Sequence, residues 1–134
     1  MRSARHQARL IAVQMLYAYD MIDQTQDSAH FLEESKLSDK YKTFACNLFE
    51  GVCAQLESID RRLRLSLNKD WEIDRLGRVE RSILRLGCYE LLFTAIDPPI
   101  AISEAVELAK EMADDNAPKL INGVLETIRK ERTA

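Results

Sequence analysis

From Ile83 to Phe93 the chain places apolar residues on nearly every face of a helix: Ile83, Leu84, Leu86, Cys88, Leu91, Leu92 and Phe93. They continue a helical pattern that begins near Leu76 and runs to Ile96. A helix that is apolar all round belongs in the centre of a bundle, so the rest of the chain must supply amphipathic helices to cover it. Few breakers oppose this, because 134 residues hold only four Gly and three Pro. Apolar positions elsewhere recur at steps of three and four rather than two. The fold class is therefore all-α, a compact single-domain helical bundle of about six or seven helices spanning residues 1–134.

The same periodicity sets the expected elements. A first helix from about Ser3 to Ile22 has Ala8, Ile11, Ala12, Met15, Leu16 and Tyr19 on one face. Gln24 to Asp27 reads as a turn, and His30 to Ser35 as a short helix anchored by Phe31 and Leu32. Tyr41, Ala45, Leu48, Val52, Leu56, Ile59, Leu63 and Leu67 then hold a helical step, with Ser38 as the cap. That stretch is more than twice the mean helix of about 11 to 12 residues, so a kink or break is expected near Ser58. Asn68 to Asp74 is the clearest break. Asp97, Pro98 and Pro99 end the central helix, since proline lacks a donor and restricts its predecessor. Helices from about Ile100 to Ala113 and Ala117 to Lys130 follow, the second with Asn116 as N-cap and Pro118 in its first turn.

A composition of 46% hydrophobic and 31% charged residues suits a soluble folded core. No run approaches the roughly 20 apolar residues of a membrane span, and the N-terminus lacks a secretory signal, so the expected location is cytoplasmic. Cys46, Cys53 and Cys88 are odd in number and form no C-x-x-C pair, which fits reduced, structural thiols. His6 and His30 have no metal-ligand spacing, and no phosphate loop, dinucleotide fingerprint or nucleophile elbow is present. Gly51, Gly77, Gly87 and Gly123 stand alone within helical patterns, where close packing explains them best. Glu90 is a carboxylate inside a strongly apolar run; with no second catalytic group beside it, a structural hydrogen bond or ion pair is the expected role. The chain reads as a non-enzyme without metal or cofactor.

Charge supplies the functional clue. The chain carries 19 Lys+Arg and 22 Asp+Glu, a net charge of −3, yet Arg2, Arg5 and Arg9 precede the first acid, Asp20. Residues 20–134 hold the other 16 cations and all 22 acids, a formal charge of −6. A cationic end on an anionic body suits local binding of a polyanion, with nucleic acid the first candidate. At helical spacing Arg2, Arg5 and Arg9 form a stripe beside the apolar face, with His6 adjacent, placed to reach phosphates or stack on unpaired bases. Arg78, Arg81 and Arg85 form a second stripe, and Arg61, Arg62 and Arg64 cluster earlier. Asp74 lies four residues before Arg78 and Asp60 adjoins Arg61, so internal pairing is the expected use of these cations.

Four ordered segments then resemble the NusB family of transcription antitermination factors. They are Ala8 to Tyr17 (ARLIAVQMLY), Trp71 to Leu91 (WEIDRLGRVERSILRLGCYEL), Ile100 to Lys110 (IAISEAVELAK) and Lys119 to Leu125 (KLINGVL). The resemblance implies a protein that binds boxA RNA together with the ribosomal protein NusE. It also implies recruitment with other Nus factors to RNA polymerase, sustaining elongation notably in ribosomal RNA operons. By that analogy Arg2, Arg5 and Arg9, with His6, touch RNA, as do Asn116 and Lys119 at the turn before the last helix. Tyr17 and Glu80 match positions that face NusE. His6 and Gln7 stand where many relatives have arginine, Leu10 replaces a frequent Glu, Ser103 a frequent Asn, and Leu120 a frequent Phe. Three to five phosphate contacts would give a log–log salt slope of roughly −2 to −3.5 for single-stranded RNA. Two other readings fit the residues: a self-associating helical scaffold, including a homodimer, and the N-terminal domain of a ribosomal RNA methyltransferase, whose fold is similar.

Overall fold

In a computed structural model, described for residues 3–21, 30–67 and 72–133, the chain forms seven α-helices. They are α1 (Ala4–Met21), α2 (His30–Glu34), α3 (Asp39–Ala54), α4 (Leu56–Ser66), α5 (Arg78–Phe93), α6 (Pro98–Met112) and α7 (Ala117–Thr133). A single 3-10 turn, Ile73–Arg75, precedes α5. Arg2, the expected turn at Gln24–Asp27 and residues Asn68–Trp71 of the expected break lie outside the described residues.

The helix that is apolar all round is α5, and it packs against α1, α3, α4, α6 and α7 alike. Ile83, Leu84, Leu86, Cys88 and Leu91 are buried along it, and they join one core with Val13, Leu16, Val52, Ile59, Leu63, Leu108, Ile121, Leu125 and Ile128. Ala8, Ile11, Met15 and Ala45 make a smaller cluster where Phe31, Leu32 and Tyr41 close over α1 and α3.

Several ends differ from the sequence expectation for local reasons. The long periodic stretch breaks at Gln55, three residues earlier than expected, where φ −111° and ψ 19° leave the α region. Its amide still donates to the carbonyls of Gly51 and Val52, so the break leaves this donor satisfied. Pro98 and Pro99 occupy the first turn of α6, where a missing amide costs nothing, so they start a helix as well as separating it from α5. Asp114 Oδ1, rather than the Asn116 side chain, accepts from the first amides at α7, those of Asn116 (3.0 Å) and Ala117 (3.2 Å). Ser38 stands at the α3 N-cap, but its carbonyl rather than its hydroxyl engages the helix.

Close packing accounts for two glycines and not for a third. A Cβ on Gly87 would meet Leu125 Cδ1 at 2.7 Å, and a Cβ on Gly51 would run into the Tyr89 ring. Gly123 meets nothing within 4 Å. Gly87→Ala should therefore destabilise by about 1 to 3 kcal/mol, because Leu125 is fully buried and the α5–α7 contact must open. Gly123→Ala should stabilise by about 0.5 to 1 kcal/mol through helix propensity. Chemical denaturation of the two variants checks the opposite signs.

Candidate nucleic-acid interface

The start of α1 splits the expected basic stripe into an exposed and a buried part. Arg5 is exposed, with its guanidinium 5.6 Å from the centre of the Phe44 ring on α3. Arg9, one turn on, is only 4% exposed. Its Nε donates to Glu90 Oε1 at 2.9 Å and its Nη2 to Glu90 Oε2 at 3.0 Å, while Nη1 stands 4.0 Å from Glu104. The same guanidinium lies 5.3 Å from the Phe44 ring centre. His6 is 3% exposed, its two ring nitrogens held by Glu104 and Glu111 of α6.

The expectation that Arg9 and His6 stand at the surface beside Arg5 is therefore corrected. Helical spacing puts them at the border of the apolar face, and carboxylates 81 to 105 residues away draw them inside it. Glu90 makes the ion pair expected of it. Burial pushes its carboxyl above the usual carboxylate range, opposed by the Arg9 hydrogen bonds and charge.

The residues matched to the far RNA contact and to the partner gather elsewhere on the molecule. Asn116 and Lys119 are exposed at the turn into α7. Tyr17 of α1 and Glu80 of α5, 63 positions apart in sequence, line one groove with Leu76, Arg78, Val79, Met112 and Asp114. An adjoining groove brings Glu80 together with Asn116, Asp114 and Leu120. Glu111, which holds His6, is one residue before Met112 in that first groove. Sequence reasoning does not single out Phe44, Glu104 or Glu111. Their contacts depend on helices far apart in the chain, and only the aromatic beside a cation leaves any compositional hint.

The second arginine stripe is internally paired, as expected, for two of its three members. Arg81 donates to Asp20 at 2.5 Å and to the Ile73 carbonyl at 3.2 Å. Arg85 grips Asp60 with two bonds of 2.9 Å and reaches Asp20 at 3.4 Å. The acids are not the sequence neighbours anticipated: Asp60 serves Arg85 rather than Arg61, and Arg78 is exposed beside the Tyr17–Glu80 groove. Arg62 pairs with Glu131 of α7.

Burial opposes ionisation of Asp20, but hydrogen bonds and charge from Arg81 and Arg85 outweigh it and hold the carboxyl below its ordinary value. A depressed carboxyl stabilises the native state above the ordinary Asp range and loses that contribution as pH falls through the lowered value. Asp20→Asn should thus be less stable than wild type at neutral pH, with the difference narrowing below about pH 4. Thermal melts across the acid range test this.

Among the described residues no group of three or more His, Cys, Asp or Glu is arranged to hold a metal, and no helix is long and apolar enough to cross a membrane. Cys88 is buried and its thiol is pushed up to about 12 by desolvation, the mark of an inert structural cysteine. What the fold defines is an all-helical bundle protein.

Comparison with known proteins gives the particular family. The NusB family description matches residues 6–130. Transcription antitermination protein NusB of a Nitratiruptor species is 46% identical over 131 residues, covering 96% of this chain and 94% of that protein. The T. maritima NusB structure superposes with a TM-score of 0.85 at 34% identity, over 98% of this chain and 94% of that one. A crystal structure of the antitermination factors NusB and NusE in complex with dsRNA superposes at 0.83 and 33% identity, over 98% and 99%. The chain belongs to the NusB family and is a transcription antitermination factor, not an enzyme.

Proposed function

We propose that this protein binds boxA RNA jointly with NusE, and that the loaded pair joins other Nus factors on RNA polymerase to sustain elongation, notably in ribosomal RNA operons. One observation carries the reading: Tyr17 and Glu80, remote in sequence, meet in a groove whose neighbour contains Asn116. A protein docked in the first groove would thus extend the surface on which RNA lies. The RNA contacts on this chain are Arg5, Asn116 and Lys119, with Arg2 preceding them. Arg9 and His6 act from inside. The relative solved with NusE holds double-stranded RNA, which makes strand state a variable to be measured.

Titration of labelled boxA RNA, single-stranded and as a duplex, with and without NusE, tests the proposal. NusE should tighten binding by linkage. Tyr17→Ala, which changes no charge and lies outside the groove that holds Asn116, should abolish most of that gain while leaving the affinity of the protein alone nearly unchanged. RNA binding indifferent to NusE would overturn the joint surface. A homodimer that ignores NusE, read by light scattering, would favour the scaffold.

A further inference from the structure

Phe44 of α3 is shared by two arginines of α1. The guanidinium carbon of Arg5 lies 5.6 Å from its ring centre and that of Arg9 5.3 Å, both within the roughly 6 Å reach of a cation–π contact. The ring is itself held, because Phe44 is partly buried and packs against both the main core and the smaller cluster between α1 and α3. Arg9 is fixed independently by its two hydrogen bonds to Glu90, whose carboxylate also balances its charge. That balance matters, since like charges one helical turn apart repel.

Arg5 is held differently. It is exposed, and among the described residues no carboxylate forms a salt bridge with it, so the Phe44 ring is the contact that orients its guanidinium. A carboxylate in that place would orient the group but neutralise it and occupy its donors. A ring face attracts the cation while leaving its charge and N–H donors for phosphate. An arginine on a free stem loses side-chain entropy when a ligand immobilises it, a cost of roughly two- to tenfold in affinity. One already placed over a ring loses less.

We infer that Phe44 is a positioning residue for the RNA surface: its ring face holds the Arg5 guanidinium, charged and with donors to spare, where phosphate meets the start of α1. The inference rests on the RNA-binding reading proposed above. Phe44 acts through Arg5 and needs no contact with RNA of its own.

The test measures affinity for labelled boxA RNA with NusE present, at low salt where charge contacts are least screened. It compares wild type, Arg5→Ala, Phe44→Leu, Phe44→Tyr and proteins carrying mono-, di- or pentafluorinated phenylalanine at position 44, each position-44 form also being made with Arg5→Ala. Fluorine withdraws electrons from the ring face, where the cation is attracted, and changes the shape of the side chain little. Arg5→Ala should weaken binding by about three- to fourfold and Phe44→Leu by about two- to threefold. Phe44→Tyr should stay within about 1.5-fold of wild type, and affinity should fall stepwise as fluorines are added. In the Arg5→Ala background every form should bind alike. Affinity indifferent to both Phe44→Leu and fluorination overturns the inference. So do losses that persist undiminished with Arg5→Ala, which would mark Phe44 as a packing residue between α1 and α3. If Phe44→Leu fails to fold, the fluorinated series decides. An Arg5→Ala protein that binds like wild type overturns the inference while leaving RNA binding to Asn116 and Lys119. Absence of RNA binding by wild type, with or without NusE, removes the RNA-binding reading itself and this inference with it.

Discussion

Arg9→Ala should lower stability by about 3 to 5 kcal/mol, whereas Arg5→Ala, four residues earlier, should cost no more than about 1 kcal/mol, the worth of its exposed contact with the Phe44 ring. The two residues share a residue type and a helix, so composition offers no reason for the contrast. The difference is burial. Arg9 and Glu90 are each 4% exposed and joined by two hydrogen bonds, so truncating the arginine leaves a carboxylate in the core with neither water nor a full set of donors. Glu104, 4.0 Å from Arg9, would then face the carboxylate with less positive charge between them. For a domain of this size the loss corresponds to roughly 10 to 20 °C in Tm.

Replacing both partners, Arg9→Met with Glu90→Leu, should recover most of the stability, because the cost lies in the orphaned charge rather than in the absence of an ion pair. Urea unfolding of the single and double variants measures both effects. An Arg9→Ala protein as stable as wild type would mean that α1 is held to α5 by its apolar face alone.

Arg5→Ala combined with Lys119→Ala should weaken boxA RNA binding by about ten- to twentyfold near physiological salt and flatten the log–log salt slope by about 1.4, with thermal stability nearly unchanged. Both side chains are exposed, and the hydrogen bonds of α1 and α7 do not depend on them. With Arg9 and His6 occupied by carboxylates, the surface has fewer free cations than the stripe suggested. Two or three phosphate contacts give a wild-type slope of about −1.4 to −2 for single-stranded RNA, shallower than three to five contacts would give. Affinity measured across a salt series reads slope and magnitude together. An unchanged slope in the double variant would move the phosphate contacts to other residues.

A joint truncation of Arg5 and Arg9, which the stripe groups together, would be a poorer test. That variant would confuse the two roles, since loss of RNA binding through Arg9 would follow from a loosened helix rather than a missing phosphate contact. The same distinction separates Arg81 and Arg85, which Asp20 and Asp60 occupy, from Arg78, which stays exposed beside the Tyr17–Glu80 groove.

What the sequence determined by itself is the set of helices and the central place of α5. Both follow from interactions local in the chain: the three-and-four recurrence of apolar residues, and proline acting on its own turn. Where it erred, at Gln55, at the Asn116 cap and at Pro98, the error was a few residues along the chain or one side chain at a helix end. It also marked the first turns of α1 as charged against an acidic body, and Glu90 as a carboxylate that needed a partner. Only the tertiary structure decided which partner. A basic residue at the border of an apolar face can turn outward to phosphate or inward to a carboxylate, and its spacing is the same in either case. The choice depends on whether a distant helix brings an acid within hydrogen-bond reach. Here α5 and α6 bring Glu90, Glu104 and Glu111 to Arg9 and His6, and bring none of the described carboxylates into a salt bridge with Arg5. Packing thus left Arg5 exposed and drew His6 and Arg9 inside.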